Sequence, residues 1–118
     1  MNNITLVGRL GKDPETKNTP NGTVVTTMSL GVDRISKGDR VVDWFDCTAF
    51  DKTGKLITDW CKKGDRIGVT GSLQTRTWKD NDGKSHKFTF IMVEKVEFLN
   101  DKPRTAESED VGQLPFEP

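Results

Sequence analysis

The chain has 118 residues, 32% hydrophobic and 31% charged, with a formal net charge of zero. That length fits one small domain with a short appendage, and no apolar run approaches the ~20 residues needed to span a membrane. The zero hides a division: residues 1–104 carry all 18 Lys and Arg, whereas 105–118 hold Glu107, Glu109, Asp110 and Glu117 and no basic residue. A module of about +4 is thus joined to a tail of about −4, so the total does not exclude a polyanionic partner. Met1-Asn2-Asn3-Ile4 lacks the basic stretch and apolar run of a leader peptide, and none is expected. Cys47 and Cys61 lack metal-ligand spacing and read as reduced core thiols of a cytosolic protein.

Hydrophobic residues recur with a period of two along most of the chain. Ile4, Leu6, Gly8 and Leu10 alternate with Thr5, Val7 and Arg9 as a first strand. Asp13-Pro14 and Pro20-Asn21-Gly22 bracket a loop, after which Val24, Thr26, Met28, Leu30 and Val32 share one face of a second strand. The polar segment Asp33 to Arg40 is predicted as a loop and Val41 to Phe50 as a third strand. Leu56, Ile57, Trp60 and Cys61 fall on one face of a helix, which assigns Trp60 to packing. Asp51 or Thr53 is expected to cap the helix start, with Lys62 and Lys63 in the last turn and Gly64 just past it. Ile67, Val69, Gly71 and Leu73 mark the core face of a fourth strand that runs to about Trp78. Asp80-Asn81-Asp82-Gly83 is a hairpin turn, and Phe88 to Leu99 is a fifth strand whose mixed faces imply a bulge or burial on both sides. Five strands with one helix between the third and fourth predict an all-β, five-stranded OB-fold barrel over residues 1–104. Residues 105–118 lack the apolar content to pack and read as a disordered acidic tail tipped by Leu114-Pro115-Phe116.

Chemistry has little to work with. There is one His, no placeable Ser/His/Asp or Cys/His set, no phosphate-cradling glycine loop and no metal-ligand spacing, so neither an enzyme nor a cofactor is expected. Binding is better supported. In the third strand Phe45, Cys47 and Ala49 form the core face, which leaves Trp44 and Phe50 outside. In the fourth strand Trp78 and Arg76 fall outside together. Large aromatics on an outer face either seal a barrel end or subunit contact, or present flat rings to flat ligands. Unpaired nucleobases are such ligands, and each stacked base is worth about 1–3 kcal/mol whatever its identity. Trp44 and Phe50 are roughly 20 Å apart along a strand, enough for up to about six stacked nucleotides. Arg9, Arg34, Lys37, Arg40, Arg76 and Lys79 lie on exposed positions or in loops and are the candidate phosphate contacts, with Lys12, Lys84 and Lys87 nearby in sequence. Asp43 and Asp46 interrupt the positive face.

The ordered segments Asn3-Ile4-Thr5-Leu6-Val7-Gly8-Arg9-Leu10-Gly11-Lys12-Asp13-Pro14-Glu15, Asn21-Gly22, Asp43-Trp44-Phe45, Lys62-Lys63-Gly64-Asp65 and Val69-Thr70-Gly71-Ser72-Leu73-Gln74-Thr75-Arg76-Thr77-Trp78 resemble the bacterial-type single-stranded DNA-binding proteins, including their phage-encoded members. The resemblance covers residues 2 to 99. It implies an OB-fold, assembly usually as a homotetramer with first strands paired near Asn3 to Arg9, and sequence-independent binding of single-stranded DNA. It matches the family's stacking aromatics to Trp44, Phe50 and Trp78, while one further family aromatic has no counterpart in Arg34-Ile35-Ser36-Lys37. Leu114, Pro115 and Phe116 resemble the family's tail tip, which docks on replication and repair proteins. Here the linker is short and Glu117-Pro118 follow the phenylalanine, a compact tail more like that of phage-encoded members.

The expectation is a non-catalytic protein that coats single-stranded DNA during replication, recombination and repair. Two rivals remain at this level: an OB-fold primosome or RNA-binding factor, and a protein–protein adaptor.

Overall fold

The computed structural model describes residues 1–99; the acidic segment 105–118, with Leu114, Pro115 and Phe116, lies outside the described residues. The elements in chain order are β1 (Ile4–Leu10), β2 (Glu15–Asn18), β3 (Val24–Ser36), β4 (Asp39–Phe50), α1 (Asp51–Trp60), β5 (Arg66–Lys79) and β6 (Ser85–Phe98). β1 pairs antiparallel with β5, β5 with β6, and β3 with β4, while β6 runs parallel to β4 through Cys47↔Ile91 and Thr48↔Met92. The end of β1 then meets β3 at Arg9↔Gly31 and Leu10↔Leu30, which closes a five-stranded barrel. The single described helix lies between β4 and β5 in the chain, as the periodicity predicts for an OB-fold.

Period-two alternation builds the interior. Leu10, Met28, Leu30, Cys47, Ala49, Ile67, Val69, Ile91 and Val93 point inward from the strands, and Ile57 of α1 joins the same cluster. Burying each of the larger aliphatic side chains favours folding by about 1.5–3 kcal/mol. The helix comes close because Gly54 faces β3: a Cβ there would stand 2.6 Å from Thr26 Oγ1. Thr26 is itself buried, and its hydroxyl is shared with Thr16 at 3.1 Å and Thr58 at 3.5 Å.

Several expectations need correction. The segment Asp33 to Arg40 is not a loop but the outer part of a hairpin, paired as far as Ser36↔Asp39. Its two-residue turn, Lys37-Gly38, has φ of 52° and 84°, the left-handed pair that matches strand twist. The loop before β3 contains the short strand β2, which adds to the outside of β3. Leu73 is 43% exposed, because β5 has by then left the barrel. Trp60 is 70% exposed: the stripe that packs is Gly54, Ile57 and Cys61, and Leu56 and Trp60 flank it. Phe50 occupies the N-cap with no side-chain cap, and Lys62 and Lys63 follow the helix rather than ending it. Gly64 does adopt a positive φ, 90°, in the turn into β5. The bulge expected in the last strand is present: the register shifts from Thr70↔Lys95 to Gly71↔Val93.

Candidate functional site

The three aromatics assigned to outer faces are outside. Trp44 is 58% exposed, Phe50 40% and Trp78 46%. Trp44 owes its position to two missing side chains. A Cβ on Gly11 would come within 2.5 Å of the indole Cζ3 and one on Gly31 within 2.8 Å, so one face of the ring lies on bare backbone. Trp44 and Phe50 do not share a groove. Trp44 lines a groove of about 520 Å³ with Arg9, Arg40, Arg66 and Val7, whereas Phe50 lines one of about 710 Å³ with Lys12, Arg76, Phe88 and Phe90. β4 is common to both, contributing Val42 and Trp44 to the first and Asp46, Thr48 and Phe50 to the second.

Trp78 stands on the β5–β6 arm. The turn is organised by Asp80, whose carboxylate accepts from the Asp82 and Lys84 backbone N–H groups at 2.9 Å and from His86 Nε2 at 2.8 Å. The His86 hydrogen bond above all, then the Lys84 amide, holds the Asp80 carboxyl below its usual range. His86 in turn stacks on Trp78 at 5.3 Å between ring centroids and 21° between planes. Arg76 lies over the Trp78 ring at 5.9 Å and over Phe88 at 5.5 Å.

The basic candidates divide by what already holds them. Arg34 is paired with Asp43 at 2.5 Å, and Arg40 is paired with Asp33. Both pairs are exposed and each engages one nitrogen of its guanidinium, so the remaining N–H groups stay available to a phosphate while the carboxylate offsets part of the positive charge. Lys37 sits at the tip of that arm and Lys79 at the end of β5. Arg9 donates to the Gly64 carbonyl at 3.1 Å from within the smaller groove. Arg66 lies opposite Arg9 in the β1–β5 ladder and lines the same groove. It was not among the phosphate candidates, although alternation places it on the outer face of β5. Phe88 and Phe90 were also missed. The signal that finds them is the Asp80–Gly83 turn, which sets the register that puts Phe88 across from Arg76.

The two thiols are held in their protonated form. Burial pushes the Cys47 thiol up to about 12 and the Cys61 thiol up to about 11, with the Asp46 and Asp65 carboxylates acting in the same direction. Thiols so held are not nucleophiles near neutrality. Among the described residues no group of three or more His, Cys, Asp or Glu side chains could hold a metal ion, and no helix is long and apolar enough to cross a membrane.

Comparison with known proteins agrees with this geometry. A model of the Single-strand binding protein family matches residues 1–99. The Bacillus cereus protein named Single-stranded DNA-binding protein is 39% identical over 121 residues, spanning 100% of this chain and 70% of its own length. Single-stranded DNA-binding protein 2 of Listeria monocytogenes is 40% identical over 110 residues, spanning 91% of this chain and 69% of its own. Among solved structures, a Plasmodium falciparum SSB in complex with ssDNA superposes with a TM-score of 0.77 at 29% identity, covering 85% of this chain and 96% of that one. With a family match across the whole described barrel and close relatives aligned over most of their lengths, the chain belongs to the single-strand binding protein family.

Proposed function

We propose that this chain binds single-stranded DNA without regard to sequence and protects it during replication, recombination and repair. The observation that carries the reading is the placement of Trp44, Phe50 and Trp78 on outer faces, the first two lining grooves that also hold Arg9, Arg40, Arg66 and Arg76 and the third directly beside Arg76. Rings so placed stack on bases that a duplex would hide, and guanidinium and ammonium groups meet the phosphates. Trp44, Phe50 and Trp78 are the stacking residues. Arg9, Lys37, Arg76 and Lys79 contact phosphates, and Arg34 and Arg40 do so through the N–H groups that their Asp43 and Asp33 pairs leave free. The protein works by binding alone, without catalysis or a cofactor, in the cytoplasm.

The module is residues 1–104, and it assembles as a homo-oligomer, a tetramer by family likeness, through the first strand, whose Thr5 and Val7 are exposed. The segment 105–118 is an acidic arm whose Leu114, Pro115 and Phe116 dock on replication or recombination proteins.

The test is fluorescence anisotropy with a labelled dT oligonucleotide, its duplex and the matched RNA. Tight binding to the single-stranded DNA, weakened by salt and far weaker for duplex, is the expected result. Preference for RNA over DNA would favour a 2′-hydroxyl reader instead.

A further inference from the structure

Beside Trp78 the β5–β6 arm carries two aromatics, Phe88 and Phe90, that none of the proposed stacking assignments uses. In its antiparallel register Gln74 faces Phe90, Arg76 faces Phe88 and Trp78 faces His86. Residues directly opposite in a ladder share one side of the sheet, so these six side chains form a single patch. Phe88 and Phe90 are half-buried and nearly parallel, with centroids 6.1 Å apart and planes at 18°. They do not belong to the barrel interior: both line the larger groove, which Phe50 also lines. Arg76 bridges the row to Trp78 with its guanidinium over both rings.

Resting on the reading of this chain as a single-strand binder, we infer that Phe88 and Phe90 form a further base-stacking subsite between Phe50 and Trp78. Its ligand is an unpaired nucleobase of any identity. Arg76 acts there twice, as a cationic plate against the rings and as a donor to the adjoining phosphate. The strand then meets flat surfaces at Phe50 in the groove and along the β5–β6 arm out to Trp78. Parallel rings suit consecutive bases of one strand, whose planes are themselves parallel.

The test compares the wild-type chain with Phe88→Leu and Phe90→Leu, which keep an apolar side chain and remove the π-face, and with Phe88→Tyr and Phe90→Tyr, which keep the ring. Binding to a dT oligonucleotide is measured against the same oligonucleotide made abasic throughout. Each Leu variant is expected to lose about 5-fold or more in affinity for dT, with an unchanged salt slope and no loss on the abasic strand. The Tyr variants are expected to bind as the wild type does. Wild-type affinity in the Leu variants, while the wild-type protein binds dT, would overturn the subsite and leave the functional reading intact. Equal losses on dT and on the abasic strand would also overturn it, because only phosphate contact or fold would then be affected. If the wild-type protein fails to bind dT at all, both readings fall.

Discussion

Trp44 shows how a single ring is made available. The indole rests on backbone at Gly11 and Gly31, and every other small residue would intrude on it. Gly31→Ala places a methyl 2.8 Å from Cζ3, so the ring must tilt out of position while the ladder survives. Affinity for oligo-dT is expected to fall about 5-fold or more with little change in melting temperature, as anisotropy and a thermal melt would read together. Loss of folding with the ring unmoved would speak against it. The buried thiols give a pH prediction. Both are raised from an ordinary value of 9.0, to about 12 for Cys47 and about 11 for Cys61. A folded-state value above the unfolded one means that the unfolded chain loses its protons first. The stability held by these thiols is therefore complete below about pH 9 and lost as pH rises toward 11 and 12. Urea unfolding at a series of alkaline pH values should show a steeper decline for the wild type than for Cys47→Ala. Equal slopes would contradict the assignment. At this scale the outer aromatics were legible because strict alternation in β4 leaves no choice of face once Cys47 and Ala49 are inside. Trp60 was not, because two apolar stripes compete on one short helix, and the stripe containing Gly54 can approach β3 more closely.

At the scale of elements, the barrel was legible and its arms were not. A strand that buries one face announces itself through apolar alternation, as β1 does with Leu6, Gly8 and Leu10. The outer halves of β3 and β4 bury neither face. They are held by ladder hydrogen bonds, the Lys37-Gly38 turn and the Arg34–Asp43 and Arg40–Asp33 pairs, so their polar sequence read as a loop. Phe88 and Phe90 were obscured for a related reason: the bulge at Gly71 changes which residues of β6 face inward, and only the turn at Asp80 fixes the outer register. The helix separates packing from exposure in adjacent residues. Ile57 has no exposed surface, while Leu56 is 41% exposed. Ile57→Ala should cost about 2–5 kcal/mol in urea unfolding and Leu56→Ala no more than about 0.5 kcal/mol. Comparable costs would place the helix in a different rotation. Closure of the barrel depends on a close backbone approach, since a Cβ at Gly8 would meet the Gly31 carbonyl oxygen at 2.3 Å. Backbone cannot yield there as a side chain can, so Gly8→Ala is expected to be destabilising by about 1–3 kcal/mol.

Over the whole molecule, two grooves share β4 and are lined by cations, while four of the 18 acidic residues lie in the segment 105–118. If that segment competes with DNA for the grooves, removing residues 105–118 should tighten binding at low salt and make little difference at high salt, where screening dissolves the competition. Unchanged affinity at low salt would count against such competition. Family membership was legible from short ordered motifs, but the division of the surface into two grooves was not. Which outer residues share a cavity depends on barrel curvature, and neither alternation nor motif spacing encodes curvature directly.

The most direct measurement is tryptophan fluorescence in a Trp60→Phe background, which leaves Trp44 and Trp78 as reporters and removes the exposed indole of the helix. Titration with poly-dT should quench the emission strongly, and added salt should restore it. Binding detected by anisotropy without any quench of these two indoles would mean that bases do not stack on them, and the proposed interface would be wrong.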